Sequence, residues 1–483
     1  MKMKKILFVT VALLLVFQNF YVQALEYEPP AELRVGLTSL YNEVDFVPIS
    51  NTGILIGYEE GGFFQTAVNL SSFSGFIAAP GDDSFIPTGQ NFSSYQDAKD
   101  YGSGLAGALP VYKGAGLWTV YLPGQGGEMH PSNYRVILSW DGEALILDCE
   151  SGYPQIMDGS GGYISLGDRS YRGRIELYRK AYGGLTPINI VLIEEYLYST
   201  VPSEMPAVWH IEALKAQAVV CRNYTEYAAT KVSKHTEAGY NLCDSSHCQN
   251  YKGAESEFES STLAVHETSG LMIYYEDEII NSTFFSSSGG YTANSGEVWA
   301  YQLPYMVSVQ EINEAETKEW TRSFTLNEIT QLLYKNGKDI GQAVSVSIGS
   351  ISAQGRVNQL VIAGTYGVEV LEKEAIRTFF SSSAGGLLES RLFTVDTGII
   401  QSQAAAPESF QAVSVTSQGI QQAGNVYINS AQNAVYSGEG VTFTGRGWGH
   451  GVGMSQYGAK GMAELGFDFT QILQYYFTGV SVR

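Results

Sequence analysis

Short apolar runs separated by glycine turns fill the chain from residue 33 to about residue 140, among them LRVGL, GILIGY and LWTVYL. That pattern predicts β-strands. Strand-like runs continue through YRVILSW, ALILDC and RIELYR. Within this region YQDAKDYGSGLA reads as a brief helix followed by strands around Pro110 and Trp118, so residues 95–122 form a small α/β module. The pattern changes in NIVLIEEYLYSTVPSEMPAVWHIEALKAQAVVCRNYTEYAAT. Residues 190–198 are apolar and regular, VPSEMP reads as a kinked turn, and residues 207–228 repeat at helical spacing. Ile211, Leu214, Ala218, Cys221 and Tyr224 share one face, and Pro206 stands where helices accept proline. At about 1.5 Å per residue such a helix is roughly 30 Å long, enough to cross a domain.

Further strands are expected at 271–276 and 280–285, then a Ser/Gly turn, SSSGGYT (286–292). A helix at 325–335, strands at 344–351 and 356–363, and a helix near 371–380 follow. Residues 396–438 are Gln/Ala/Ser-rich with few long apolar runs and read as an insertion or mobile loop. FTQILQYYF near the end reads as a short helix closing the core. The class is α+β: a β-rich region, 25–160, then a mixed α+β domain, 161–483, with a long helix after VPSEMP. No fixed-period repeat points to a solenoid or propeller.

In FTGRGWGHGVGMSQYGA (443–459) glycines alternate with Arg446, Trp448, His450 and Val452. Strand glycines pack nothing, so the segment is expected to be a tight loop rather than a central strand. From Met454 onward Met454, Tyr457, Met462 and Leu465 recur at helical spacing, with Gly466 as the stop. A glycine hairpin packed on the core is the competing reading. A phosphate cradle is disfavoured, because no Lys-Ser or Lys-Thr follows.

Composition narrows the partners. Lys2, Lys4 and Lys5 precede an apolar run from Ile6 to Phe17, and Val22-Gln23-Ala24 offers small residues for cleavage, so residues 1–24 read as a bacterial secretory signal. The run is short for a membrane span, and no later stretch could provide one. A net charge of −21 argues against nucleic acid and anionic membrane surfaces. A neutral polysaccharide would tolerate it, and the 32 tyrosines and 6 tryptophans fit sugar-stacking surfaces as well as any exported β-rich domain.

Three groups could carry chemistry. Glu204 lies between Pro202 and Pro206, next to Met205 and near Trp209. Desolvation favours a neutral carboxyl there, which could donate a proton to a glycosidic oxygen. Alternatively the residue serves a helix N-terminus electrostatically. His235, Cys243, His247 and Cys248 supply the ligand set of a tetrahedral zinc site, though at unorthodox spacing; a Cys243–Cys248 disulfide is the alternative. Four protein ligands would make such a zinc structural. Cys149 and Cys221 read as buried apolar residues. The hydroxyls of SSSGGYT could bind sugar, or the turn could be an ordinary surface one. Neither a His-Glu-x-x-His nor a Gly-x-Ser-x-Gly pattern is present, which disfavours zinc peptidases and serine hydrolases.

Taken in order, YLYSTVPSEMPAVWHIEALKAQAVVCRNY, FFSSSGGYTANSGEVW and GRGWGHGVGMSQYGAKGMAELG resemble the stage II sporulation protein D / LytB family of bacterial cell-wall proteins over about residues 165–483. The resemblance implies an exported lytic transglycosylase acting on peptidoglycan glycan strands stripped of stem peptides, and it places the catalytic glutamate on Glu204. It also implies a zinc site on His235, Cys243, His247 and Cys248, with His235 the least secure ligand. By motif position Ser288, Tyr291, Trp448, His450, Gln456 and Tyr457 become candidate substrate-binding residues. The family also contains modifiers of a cell-wall amidase, so a non-catalytic enhancer is the second expectation. Residues 95–122 resemble, loosely, the glycan-binding repeats found beside cell-wall enzymes.

Overall fold

The computed structural model describes residues 32–81, 85–124, 135–149, 152–180, 183–231, 234–314, 316–401, 409–416, 419–427 and 437–483. The expected signal at 1–24 lies outside them. Two compact units divide the chain, one up to Ile193 and one from Glu194. The class is α+β.

The first unit is β-rich. One sheet runs in the order Glu32–Gly36, Leu185–Leu192, Arg174–Arg179, Gln155–Asp158, Gly53–Glu60, Phe63–Ser71, all antiparallel. A nine-stranded sheet contains the expected small module. Its helix Tyr95–Ser103 starts at Ser94, whose side chain accepts from the Asp97 N–H, and packs on strands Leu109–Gly114 and Leu117–Pro123. Ala98, Tyr112 and Trp118 are fully buried there. Asp148, itself buried, is paired with Arg135 and Lys113 and accepts from the Tyr121 hydroxyl. A buried carboxylate persists only with such partners.

The second unit is built around the helix Ile211–Thr230. It begins four residues later than the sequence pattern suggested, because the His210 side chain, not Pro206, caps it by accepting from the Glu212 N–H. Every residue from Ala216 to Asn223 is buried, so the helix is covered on all sides rather than along one stripe. Helices Glu259–Glu267, Gln456–Glu464 and Phe469–Tyr476 pack against it. The VPSEMP segment is not a free turn. Its first four residues are the last turn of helix Ile193–Glu204, which tolerates Pro202 inside it.

A separate apolar cluster in this unit includes Trp320, Phe324, Leu333, Leu360, Phe380 and Phe443. Helix Leu326–Lys335, with a complete capping box at Thr325 and Glu328, and strands Ala343–Ile351 and Val357–Gly364 match their sequence expectations closely. The expected helix near 371–380 is shorter: Val368–Glu372 is a strand, and only Ala375–Thr378 is helical. Within 396–438 the described residues are strand, Phe393–Gln401 pairing along its length with Ser437–Arg446 and Ser409–Thr416 with Gly419–Tyr427, and the rest of the expected insertion lies outside the described residues. Ser437–Arg446 is itself central, flanked on its other edge by Glu319–Thr325. Gly445 therefore does sit in a central strand, contrary to the expectation from strand glycines. The ring of Trp320 occupies the space a side chain would need, 2.3 Å from where a Cβ would stand.

Candidate functional site

The glycine tract forms its loop after Arg446. Gly447, Gly449, Gly451 and Gly453 all have positive φ, and at two of them the reason is close approach as well as backbone conformation. A Cβ on Gly449 would stand 2.7 Å from the Phe285 Cβ, and one on Gly453 would stand 2.1 Å from the Thr283 carbonyl oxygen. No side chain fits there. The loop is thereby stitched to FFSSSGG: Phe284–Phe285 pairs in parallel with Met454–Ser455, and Ser287 and Trp448 exchange N–H···O bonds of 3.0 and 2.7 Å. Two motifs about 160 residues apart in sequence thus become one surface.

The third motif joins through Gln456, whose side-chain amide donates to the Glu204 main-chain oxygen at 3.0 Å and to the Gln217 side chain at 3.4 Å. A cleft of about 580 Å³ opens here, with Glu204, His247, Cys248, Trp448, His450 and Gln456 in its wall. The Glu204 carboxylate oxygen accepts from the Asn250 N–H at 2.6 Å. Burial pushes its pKa above the ordinary 4.5, against the opposing pull of Asn250 and of the Lys252 charge. Glu204 ends its helix rather than starting one, so the alternative of a helix N-terminal charge does not apply.

His450 stands between Phe285 and Trp299, at ring distances of 5.6 and 5.3 Å, and its Nδ1 accepts from the Val452 N–H. Burial, aided by Arg377, lowers its pKa to about 3, so the imidazole is neutral at physiological pH. The cleft holds a second carboxylate, Glu374, but Arg377 engages it at 2.5 Å.

Three candidates lie elsewhere. Ser288 is fully buried; its hydroxyl and the N–H groups of Ser288, Gly289 and Gly290 all donate to the Glu314 carboxylate, which fills the SSSGG turn from inside. Tyr291 is partly exposed but outside the cleft wall, its main-chain oxygen held by Arg356. Tyr457 packs edge-on against Trp209 at 4.9 Å, beside the cleft rather than in it. Conversely, Asn250, Trp299, Glu374 and Arg377 touch the site without having been singled out. Trp299 closes the NSGEVW segment and was within reach of motif reading. Arg377 was not, because it arrives from a segment with no signal of its own.

Beside the cleft, one ligand atom from each of His235, Cys243, His247 and Cys248 lies within 4.8 Å of all the others, a group that could hold a metal ion. All four cysteines are free, so no Cys243–Cys248 bridge forms. The nearest separations are 3.2 Å for His235 Nε2 to Cys248 Sγ, 3.6 Å for Cys243 Sγ to His247 Nδ1 and 3.7 Å for Cys248 Sγ to His247 Nδ1. A hydrogen bond from Cys248 lowers the Cys243 pKa to about 3. Cys221 is fully buried, and burial raises its pKa and that of Cys149.

Residues 181–275, which include Glu204 and all four of these side chains, match the family model of the stage II sporulation protein. The chain carries a stage II sporulation protein domain. Residues 302–413 match the model of a domain of unknown function. The stage II sporulation protein D of Bacillus subtilis is 28% identical over 323 residues, 64% of this chain and 78% of that one. Its counterpart in Bacillus amyloliquefaciens is 28% identical over 309 residues, 60% of this chain and 74% of that one. An amidase enhancer of Bacillus subtilis is 29% identical over 314 residues, 59% of this chain, but the match spans only 40% of the enhancer's own length. Among the described residues no helix is long and apolar enough to cross a membrane.

Proposed function

We propose that the protein is an exported lytic transglycosylase of the bacterial cell wall, cleaving peptidoglycan glycan strands that lack stem peptides. The observation that carries the reading is Glu204: a carboxyl desolvated in a cleft, its pKa raised, with no ion pair among the described residues. As the acid, Glu204 donates its proton to the bridging oxygen while the muramyl C1–O bond breaks. The resulting carboxylate takes the proton from the muramyl C6 hydroxyl as that oxygen bonds to C1, closing a 1,6-anhydro ring. Hydrolysis by the usual pair of carboxylates needs a second free acid, and Glu374 is committed to Arg377. A tethered nucleophile needs only one. His450, neutral and fixed between two rings, serves as a hydrogen-bonding wall rather than a proton carrier.

The four His and Cys side chains fit zinc. For Zn–S near 2.3 Å and Zn–N near 2.0 Å, a tetrahedral S···N edge is about 3.5 Å, and the separations above bracket that value. With four protein ligands a zinc ion would supply structure, not Lewis acidity. The same loop carries Asn250, so its rigidity bears on how Glu204 is held.

Incubating the protein with denuded glycan strands should yield 1,6-anhydromuramyl ends by mass spectrometry, and Glu204→Gln should lose roughly 100-fold or more of the rate. Products that persist undiminished in the variant would sink the assignment. The relative named amidase enhancer favours a second reading, a glycan-binding modifier of a cell-wall amidase. In that case wild type and Glu204→Gln should stimulate an amidase equally, and neither should release anhydro products.

A further inference from the structure

We propose that Lys318, framed by Trp448 and Tyr457, is a subsite for an acidic sugar and pairs with the free lactyl carboxylate of a muramyl residue. The proposal rests on the transglycosylase reading for the identity of the strand. The starting point is charge. The chain has 49 acidic residues against 28 lysines and arginines, so a lysine in it has carboxylates to spare. Lys99, Lys180, Lys215, Lys231, Lys338 and Lys460 are each engaged by one.

Lys318 is not. Among the described residues no carboxylate is ion-paired with it, although the side chain is partly buried. Its ammonium stands 5.5 Å from the centre of the Trp448 ring and 5.2 Å from that of Tyr457. The backbone fixes this placement, since the Gly447 N–H donates to the Lys318 oxygen at 2.7 Å. Trp448 is 45% exposed and shares the cleft wall with Glu204, and Tyr457 carries the aromatic row on to Trp209.

The exposed Trp448 ring can stack on a sugar of any charge; an ammonium without a carboxylate partner beside it can bond neutral hydroxyls too, but gains most from an anionic ligand. In a strand that still carries stem peptides the lactyl carboxyl is an amide and has no charge. Stripping the peptide by amide hydrolysis releases the carboxylate. Lys318 therefore favours strands on which that hydrolysis has taken place.

The test is a binding titration on the full chain carrying Glu204→Gln, so that no strand is consumed. The probes are denuded glycan oligomers with free lactyl carboxylates and the same oligomers converted to methylamides. The free acids should bind roughly tenfold more tightly, with an advantage that shrinks as salt is added. Adding Lys318→Gln should erase the difference, and Lys318→Arg should keep most of it. Equal affinity for the two probes, no binding of either, or a preference that survives Lys318→Gln would each overturn the subsite. If Lys318→Gln does not fold, the comparison of probes on the Lys318 background decides alone. Because the readout is affinity, anhydro products without a charge preference count against the subsite only. A charge preference without products counts against the transglycosylase only.

Discussion

Gly461 sets helix propensity against packing, and the structure says which wins. It lies inside helix Gln456–Glu464, where alanine is the better helix former by about 1 kcal/mol. On that ground Gly461→Ala should stabilise the protein. A Cβ at this position, however, would stand 1.5 Å from the Asn313 carbonyl oxygen and 2.6 Å from its carbon. The obstruction is backbone, not a flexible side-chain tip. Its neighbours are tied down too: the Glu311 N–H donates to Gly290, the Tyr476 hydroxyl to the Glu311 carboxylate, and the Asn313 side chain to Gly461 itself. Overpacking costs roughly 1–3 kcal/mol where surroundings can yield, and here they yield least, so the upper end applies. Subtracting the propensity gain leaves a net destabilisation of about 2 kcal/mol. Urea unfolding followed by tryptophan fluorescence measures it. The same helix begins at Gln456, so its displacement should also loosen the bond to the Glu204 main chain and slow turnover. A Gly461→Ala protein as stable as wild type, or more so, would refute the reasoning.

Three further outcomes follow from charge and ligation. Burial raises the Glu311 pKa from 4.5 to about 7, so the fold favours its neutral form; stability should be full below about pH 4.5 and fall as pH rises through 7. The loss is bounded at roughly 3 kcal/mol, and Glu311→Gln should abolish it in thermal melts taken across that range. His450, lowered to about 3, should contribute no inflection between pH 5 and 8, so His450→Gln should leave the shape of a pH–rate profile there unchanged, whatever it does to the rate. Metal analysis should find one zinc per chain, and Cys243→Ser should remove it and lower the melting temperature.

Much of the second unit was legible because its signals are local. The capping box at Thr325 and Glu328 needs only four residues to be recognised, and the helix after it fell where expected. The strands flanking Gly355 were equally plain. Errors arose where a distant partner decides. Gly445 looks unfit for a central strand until Trp320 is placed on it, and SSSGG, which by sequence could be a sugar-binding or an ordinary turn, gives no sign of the Glu314 carboxylate that its N–H groups hold. Residues 396–438 lack apolar runs, yet the strands that reach into them are aligned by pairing over nine residue positions, anchored outside the stretch by Phe393, Val395, Val441 and Phe443.

Glu204 shows the same dependence at the level of chemistry. Its local sequence fits the first turn of a helix, where the dipole would stabilise the charged form; at the end of helix Ile193–Glu204 the dipole instead opposes it, in the same direction as burial. Asn250 and Lys252 pull the other way. A group that must first give a proton and then take one cannot be held strongly in either state, and these opposed influences supply that balance. Lys252 acts through its charge alone and is not part of the cleft wall, so that influence can be removed without altering the wall. Lys252→Gln should raise the Glu204 pKa further, so the alkaline fall in turnover, which comes as the acid is lost, should move to higher pH. A pH–rate profile checks this. A limb that moved to lower pH, or stayed fixed, would mean that the ionisation governing turnover is not that of Glu204.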